Sequence, residues 1–189
     1  MSPVAFDDFA ALVRVRRTSM FVDHQRAVPT DIVRDLCTLA TWAPNHKKTH
    51  PWRFAVFTGD GRARLGAAMA DDMERAGIGD EGKLAKTRGK YLRTPMTLVV
   101  GAAPHDNEML DLENRDAVAA GIQNLLLAAT TLGLASFWST PGMTSPPRTL
   151  ELCGFGSDDR IVGVIYLGWA TQSAPGTQRE APDITFVAD

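Results

Sequence analysis

The chain has 189 residues, of which 44% are hydrophobic and 22% charged; this composition is typical of a folded globular domain and excludes global disorder. A net charge of −2 lacks the strongly basic balance of nucleic-acid-binding proteins, so no nucleic-acid partner is expected. Residues 1–12 lack the apolar run of a signal peptide, and polar side chains interrupt the most apolar stretch, 117–138, so we expect a cytoplasmic protein that does not enter a membrane.

The first half of the chain begins with two predicted helices. Apolar spacing predicts a helix over residues 7–17, with basic residues in its last turn, where the helix dipole favours cations. A second helix opens with Thr30 as its predicted N-cap, and Pro44 ends it. Its predicted buried stripe consists of Ile32, Leu36, Leu39 and Ala40.

Residues 52–58 alternate as in a strand and lead through a turn at Gly59-Asp60-Gly61 into helices over 62–75 and 83–93. The remaining predicted elements are strands over 96–102, 135–139 and 160–167, a long helix over 113–132 closed by Gly133, and a short helix over 148–153. The polar tail after residue 168 is expected to wrap over a surface or a partner. The order αα-β-αα-β-α-β-α-β predicts one α+β (mixed α/β) domain over 1–189, with a central sheet covered by helices.

Three local patterns lead to no functional site. Gly59 and Gly61 follow a strand, but Gly66 lies too far on for a dinucleotide-binding fingerprint, so a tight turn is the better interpretation. The four histidines do not fall at metal-ligand spacings, and no metal site is predicted. Cys37 and Cys153 form no motif and are interpreted as reduced thiols in or near the core.

Three further segments combine side chains that suit a ligand. Arg16-Arg17-Thr18-Ser19 places two guanidiniums and two hydroxyls at the end of a helix, a pattern that suits a phosphate monoester. Residues 42–52 carry aromatic rings, donors and cations in a loop stiffened by prolines, and residues 133–140 end a strand in Trp138-Ser139-Thr140. Taken singly, each has an ordinary structural explanation: a solvated helix end, a charged connection, and a strand end with a core tryptophan.

Together these segments resemble the FMN-dependent nitroreductase family. Arg16-Arg17-Thr18 resembles its opening R-R-S/T element, and Ala43-Pro44-Asn45-His46-Lys47 with Pro51-Trp52-Arg53-Phe54 resembles its A-P-S/D-x-x-N/K…Q-P-W-x-F signature. Residues 128–139 and 161–168 resemble its L-L-A-A-x-x-L-G…W and I-V-x-x-I-x-L-G stretches. The match runs in order over 16–168, and the short length and the A-P-x-H-K form point to the YdjA-like branch.

The resemblance implies a nitroreductase-like three-layer fold with a central mixed or antiparallel sheet flanked by helices. It also implies a homodimer with extensive chain exchange and FMN at the subunit interface. The cofactor-binding residues carried over by position are Arg16, Arg17 and Thr18 for the phosphate and ribityl chain, Trp42 and His46 from the partner subunit, and Trp138, Ser139 and Thr140 for the ring or ribityl side. Residues 128–133 match a stretch linked in this branch to the nicotinamide dinucleotide.

The implied activity passes hydride from NAD(P)H through flavin N5 to nitroaromatic, quinone or similar electrophilic acceptors in a ping-pong cycle. Because the flavin carries this chemistry, no catalytic side chain is expected. Two alternatives remain open: reductive dehalogenation or flavin cleavage with the same fold and flavin, and a non-catalytic flavin-binding dimer. The chain departs from the family at Lys47 or Lys48 and at His50, where Asn and Gln are frequent, and this difference could alter the favoured acceptor.

Overall fold

The computed structural model describes residues 4–188, and within them helices and strands follow the predicted order. The elements are α1 (Phe6–Val15), α2 (Thr30–Ala40), β1 (Trp52–Thr58), α3 (Gly61–Arg75), α4 (Glu81–Gly89), β2 (Met96–Ala102), α5 (Glu108–Thr131), β3 (Leu134–Ser139), α6 (Pro147–Cys153) and β4 (Arg160–Trp169). Two 3₁₀ turns, His46–Lys48 and Lys90–Arg93, precede β1 and β2. The bounds of β1 and β2 match their predictions, because each strand is an apolar or alternating run that starts directly after a proline.

The four strands form one antiparallel sheet in the order β1-β2-β4-β3. In its register, Trp52 of β1 pairs with Ala102 of β2 at one end, and Met96 of β2 pairs with Leu167 of β4 at the other. Ser136 of β3 pairs with Leu167 from the opposite side and so lies at the same end as Met96. The prediction allowed a mixed or an antiparallel sheet, and the four named strands form an antiparallel one.

Helices cover both faces of the sheet and make three layers. Alternate side chains of β2 enter different cores: Leu98 and Val100 lie under α2 and α5, whereas Val99 lies under α3, α4 and α6. The helices contribute Val33, Leu36, Ala40, Val118, Ile122, Leu125, Leu126 and Ala129 to the first core, and Leu65, Met69, Met73, Leu84 and Leu150 to the second. The expected three-layer fold is confirmed.

The longest helix, α5, begins at Glu108 instead of residue 113. The Asn107 side chain caps it by accepting a hydrogen bond from the backbone N–H of Leu110 at 3.1 Å. Met109 and Leu112 in the first turns are exposed, so these turns do not carry the apolar face by which the sequence predicts a buried helix. Gly133 ends the helix with a φ of +78°, the left-handed conformation expected of a C-terminal glycine. Among the helices of residues 4–188, none is long and apolar enough to cross a membrane.

The start and the buried face of α2 differ from their predictions. Pro29 occupies the N-cap position, and Thr30 is the first helical residue, so the predicted Thr30 cap is wrong. Leu39 is exposed, whereas Val33 is buried. The buried face is decided by the helix that packs on α2, here α5, and the apolar spacing within α2 allows either choice.

Cys37 and Cys153 are free thiols that pack beside the two different cores, on opposite faces of the sheet. Burial raises the pKa of Cys37 to about 11 and that of Cys153 to about 12. Both thiols are therefore protonated and weakly nucleophilic at neutral pH, and their position near the core is as predicted.

The contact between α2 and α5 leaves no room for a side chain at Gly121. A Cβ added there would lie 2.6 Å from the carbonyl oxygen of Ala40 and 2.8 Å from Nε1 of Trp52. We expect Gly121→Ala to lower the free energy of unfolding by about 1–3 kcal/mol, measured by urea denaturation, because the helices must move apart. The control is Gly89→Ala, where an added Cβ meets nothing within 4 Å and φ is −95°. Equal effects of the two changes would contradict the close helix contact.

Candidate functional site

The segment after α1 is held against the first residues of β3. Arg16 is the C-cap of α1, and Arg17 donates from its guanidinium to the Arg16 carbonyl oxygen at 2.8 Å. Thr18 forms a parallel bridge with Ser136, and the buried Ser19 donates its backbone N–H to the Ser136 carbonyl oxygen at 3.0 Å. These bonds fix two guanidiniums and two hydroxyl-bearing residues at one end of the sheet.

The tail after β4 brings a third arginine to this segment. Burial lowers the pKa of the Arg16 guanidinium, and the nearby charges of Arg17 and Arg179 lower it further. Within residues 4–188, no carboxylate lies within 4.0 Å of these three arginines, and the buried Nε of Arg17 has no hydrogen-bond partner. A buried, unpaired donor among like charges indicates a site for an anion. By the resemblance, Arg179 lies where some family members place a basic phosphate ligand, a role that the sequence alone left open; the fold places it beside Arg16.

A cavity of about 410 Å³ opens beside this segment. It lies between the end of α1, the turn from α5 to β3, and the chain after β4, and its lining includes Arg17, Ser19, Thr130 and Gly133. Thr130 and Gly133, from the stretch linked by resemblance to the dinucleotide, thus line the same cavity as Arg17, one of the predicted phosphate ligands.

The predicted ring contacts lie farther along the same strand. Trp138 and Ser139 end β3, and Thr140 follows. The indole of Trp138 lies over Gly163 of β4, where an added Cβ would be 2.2 Å from Nε1, so only glycine leaves space for this ring. Trp138 lies two residues after Ser136, about 7 Å along the strand. Because the Thr18–Ser136 bridge is parallel, Trp138–Thr140 continue the strand beyond Thr18, on the side away from Arg16.

The loop after α2 presents the other two predicted residues. The Trp42 side chain is 80% exposed. Nδ1 of His46 lies 2.7 Å from a carboxylate oxygen of Glu113 on α5. Since Thr130 lines the cavity beside Arg17, and Glu113 lies 17 residues earlier on α5, His46 is about 25 Å from that cavity along the helix axis. One chain alone does not bring His46 to the arginines.

The same loop is held in an unusual backbone conformation. Lys47, Lys48 and His50 have φ values of 57°, 53° and 51°, in the left-handed region that L-residues rarely adopt. Asn114 of α5, 2% exposed, accepts a hydrogen bond from Thr49 and donates to the Ala103 carbonyl oxygen at 3.1 Å. The sequence carries no signal for Glu113 or Asn114, because both are ordinary polar residues of a helix.

Asn114 is expected to hold the loop conformation. Asn114→Ala removes the donor to the Ala103 carbonyl oxygen and leaves the Thr49 hydroxyl with Asn45 alone, which costs about 1–3 kcal/mol of folding free energy. Trypsin should then cleave faster after Lys47 and Lys48, as measured by mass spectrometry of timed digests.

The control is Asn124→Ala on the same helix, whose amide bonds to the Leu39 carbonyl oxygen rather than to the loop. If both variants cleave at the wild-type rate after Lys47 and Lys48, Asn114 does not hold the loop.

Sequence and fold match proteins of one family. A profile of the nitroreductase family matches residues 13–169. The candidate NAD(P)H nitroreductase YdjA of Escherichia coli (strain K12) is 31% identical over 144 residues, 76% of this chain and 78% of that protein. A nitroreductase-like family protein from Bacillus cereus is 30% identical, with a TM-score of 0.78 and 95% of each chain covered. A nitroreductase from Bacteroides fragilis NCTC 9343, crystallised with bound FMN, shares the fold with a TM-score of 0.75 at 20% identity, over 95% of this chain and 98% of that one. The resemblance is confirmed: the chain belongs to the nitroreductase family and is similar to its YdjA-like members.

Proposed function

We propose that the protein is an FMN-dependent oxidoreductase that transfers hydride from NAD(P)H to nitroaromatic, quinone or similar electrophilic acceptors in a ping-pong cycle. The observation that carries the proposal is the cluster of Arg16, Arg17 and Arg179, which has no carboxylate partner within residues 4–188. Membership of the nitroreductase family, the NAD(P)H in the name of YdjA and the FMN bound by the Bacteroides fragilis relative support the choice of cofactor and reductant.

The residues present fit the phosphate of FMN. Arginine forks bind phosphate oxygens in bidentate pairs, and the unpartnered Nε of Arg17 supplies a donor that is already desolvated. The hydroxyls of Thr18 and Ser19 would complete the phosphate and ribityl contacts. Bound in this way, the phosphate would relieve the mutual repulsion of the three guanidiniums.

The remaining predicted residues would position the ring system. Trp138 offers an apolar surface at the end of β3, and Ser139 and Thr140 offer hydroxyl and backbone donors. When bound, FMN would supply the hydride chemistry itself, which no side chain of the protein can perform. The protein's part is to orient the ring, exclude water and leave one face open to the nicotinamide and the acceptor in turn.

A homodimer would complete this site. The described part of α1 buries none of its residues, although Phe6, Phe9, Val13 and Val15 are large and apolar. Trp42 is likewise exposed, and His46 lies about 25 Å along α5 from the arginine-lined cavity of its own chain. Apolar surface of this extent favours a partner. A second copy that covers α1 would let Trp42 and His46 reach the flavin from the partner subunit.

The flavin proposal predicts a yellow protein. After incubation with FMN, the visible flavin bands should persist through gel filtration and bleach when NADPH is added anaerobically. Arg17→Gln should raise the Kd for FMN at least about tenfold, because a charge-assisted bond contributes about 1.5–3 kcal/mol. Arg75→Gln, an exposed arginine on α3, is the control and should bind FMN as the wild type does. A wild-type protein that stays colourless after incubation would refute the proposal.

The dimer proposal predicts that charge on α1 separates the subunits. Phe9→Asp with Val13→Asp should give a monomer by light scattering and weaken FMN binding, because two carboxylates cannot be buried unpaired in an apolar interface. The control is Leu92→Asp, which alters an exposed leucine of the Lys90–Arg93 turn. A wild-type protein of monomer mass, or a double variant that remains dimeric with normal FMN binding, would contradict the α1 interface.

A further inference from the structure

Helix α4 and the 3₁₀ turn after it carry four cations along one side. Lys83 and Lys86 lie on α4, and Lys90 and Arg93 lie in the turn. Their spacing of three, four and three residues places them on one face of the helix. Together with Thr87 and Gly89 they line a cavity of about 440 Å³.

These four cations lack counter-charges in the part of the chain that the structure describes. Arg88 on the same helix lies 3.9 Å from a carboxylate oxygen of Asp71 and 3.6 Å from one of Glu74. Within residues 4–188, no carboxylate oxygen lies within 4.0 Å of the four cavity-lining cations. The neighbouring Asp80 carboxylate is engaged at the helix start, where it accepts from the backbone N–H of Lys83 at 2.8 Å.

Two of the four cations are held in place by buried aromatic rings. Nζ of Lys90 lies 4.9 Å from the ring centre of Tyr91, and the Arg93 guanidinium lies 5.0 Å from that of Tyr166. The two tyrosines stack at 6.0 Å and are fully buried, and Arg93 also donates from Nε to the Lys90 carbonyl oxygen at 2.9 Å. Part of the cation set is thus ordered before any ligand arrives.

The like charges disfavour one another. The pKa of Lys90 is lowered first by burial and then by the charges of Arg93 and Lys83. An anion in the cavity would remove this repulsion, so it would bind more tightly to the folded chain than to the unfolded one and stabilise the fold.

We propose that this cavity is a second anion site, separate from the Arg16 segment, which binds a ligand carrying two or more linked phosphate groups. Lys83 and Lys90 lie about 10 Å apart along the helix axis, so the four cations are spread along the cavity. Lysine binds phosphate as a point charge, and two linked phosphates carry more charge over a greater length than one, so they would contact more of these cations. Inorganic pyrophosphate and the diphosphate of a nucleotide share this chemistry.

Isothermal titration of the full chain with pyrophosphate tests the site. Saturating FMN is present, so that pyrophosphate cannot bind at the flavin site. The titration is repeated with the Arg17→Gln variant, so that the result does not depend on whether the flavin site is functional. We expect Lys86→Gln with Lys90→Gln to raise the Kd for pyrophosphate at least tenfold. Arg64→Gln with Arg75→Gln removes two exposed cations of α3 as the control, and should leave the Kd within twofold.

A second variant keeps all four cations. A side chain at Gly89 enters open space, with no heavy atom within 4 Å of an added Cβ and a φ of −95° that any residue adopts. Gly89→Glu places a carboxylate in the cavity, so it should raise Tm without ligand and abolish the rise in Tm that pyrophosphate causes in the wild type. Gly89→Gln is matched in size and should give a smaller rise in Tm and retain part of the pyrophosphate response.

A titration with adenosine diphosphate distinguishes a nucleotide ligand from a ligand recognised by its diphosphate alone. Tighter binding of adenosine diphosphate than of pyrophosphate would support a nucleotide ligand, and equal binding would support recognition of the diphosphate alone. The proposal is overturned if pyrophosphate does not bind, if it binds no more tightly than sulfate, or if neither the lysine pair nor Gly89→Glu changes its affinity. Binding of an acidic peptide in place of pyrophosphate would also overturn it.

Discussion

The close approach of α5 to α2 at Gly121 is the contact on which the rest of the arrangement depends. Without a side chain at this position, the Ala40 carbonyl and the Trp52 indole lie directly on the helix backbone. The contact sets where α5 runs across the sheet. The first half of α5 holds the loop after α2 through Glu113 and Asn114. The C-terminal end of α5 leads through Gly133 into β3. Both halves of the candidate site are thus positioned by one helix.

Two surfaces of the protein carry clustered cations without carboxylate partners within residues 4–188. Other arginines of residues 4–188 form ion pairs with carboxylates, as Arg88 and Arg148 do with Asp71. The arginines of the Arg16 segment and the cations of α4 have no such partner within residues 4–188, although the whole chain carries a net charge of −2. Counter-charge was therefore available in the sequence and is placed elsewhere. Neighbouring like charges disfavour one another, and a bound anion would relieve this repulsion.

Large apolar side chains are exposed on α1 and in the tail. Phe6 is 78% exposed on α1, and Phe186 is 87% exposed in the tail. A helix with an apolar stripe but no buried residue gains little from packing in its own chain, and helices of ten residues are marginal without such packing. Within residues 4–188, the Arg16 segment thus has no carboxylate partner and α1 has no packed face; under the proposed function, FMN would meet the first requirement and a second subunit the other.

The sequence by itself determined the order of the elements, the bounds of β1 and β2, the family and the segments that carry the candidate site. These follow from local periodicity, turn residues and short motifs, which act within a few residues of one another. Only the tertiary structure decided the exposure of Leu39, the approach of Arg179 to Arg16, and the distance that separates His46 from Arg17. Each of these depends on which surfaces pack together across long stretches of chain, and such contacts are settled by the burial of the whole core rather than by any local pattern.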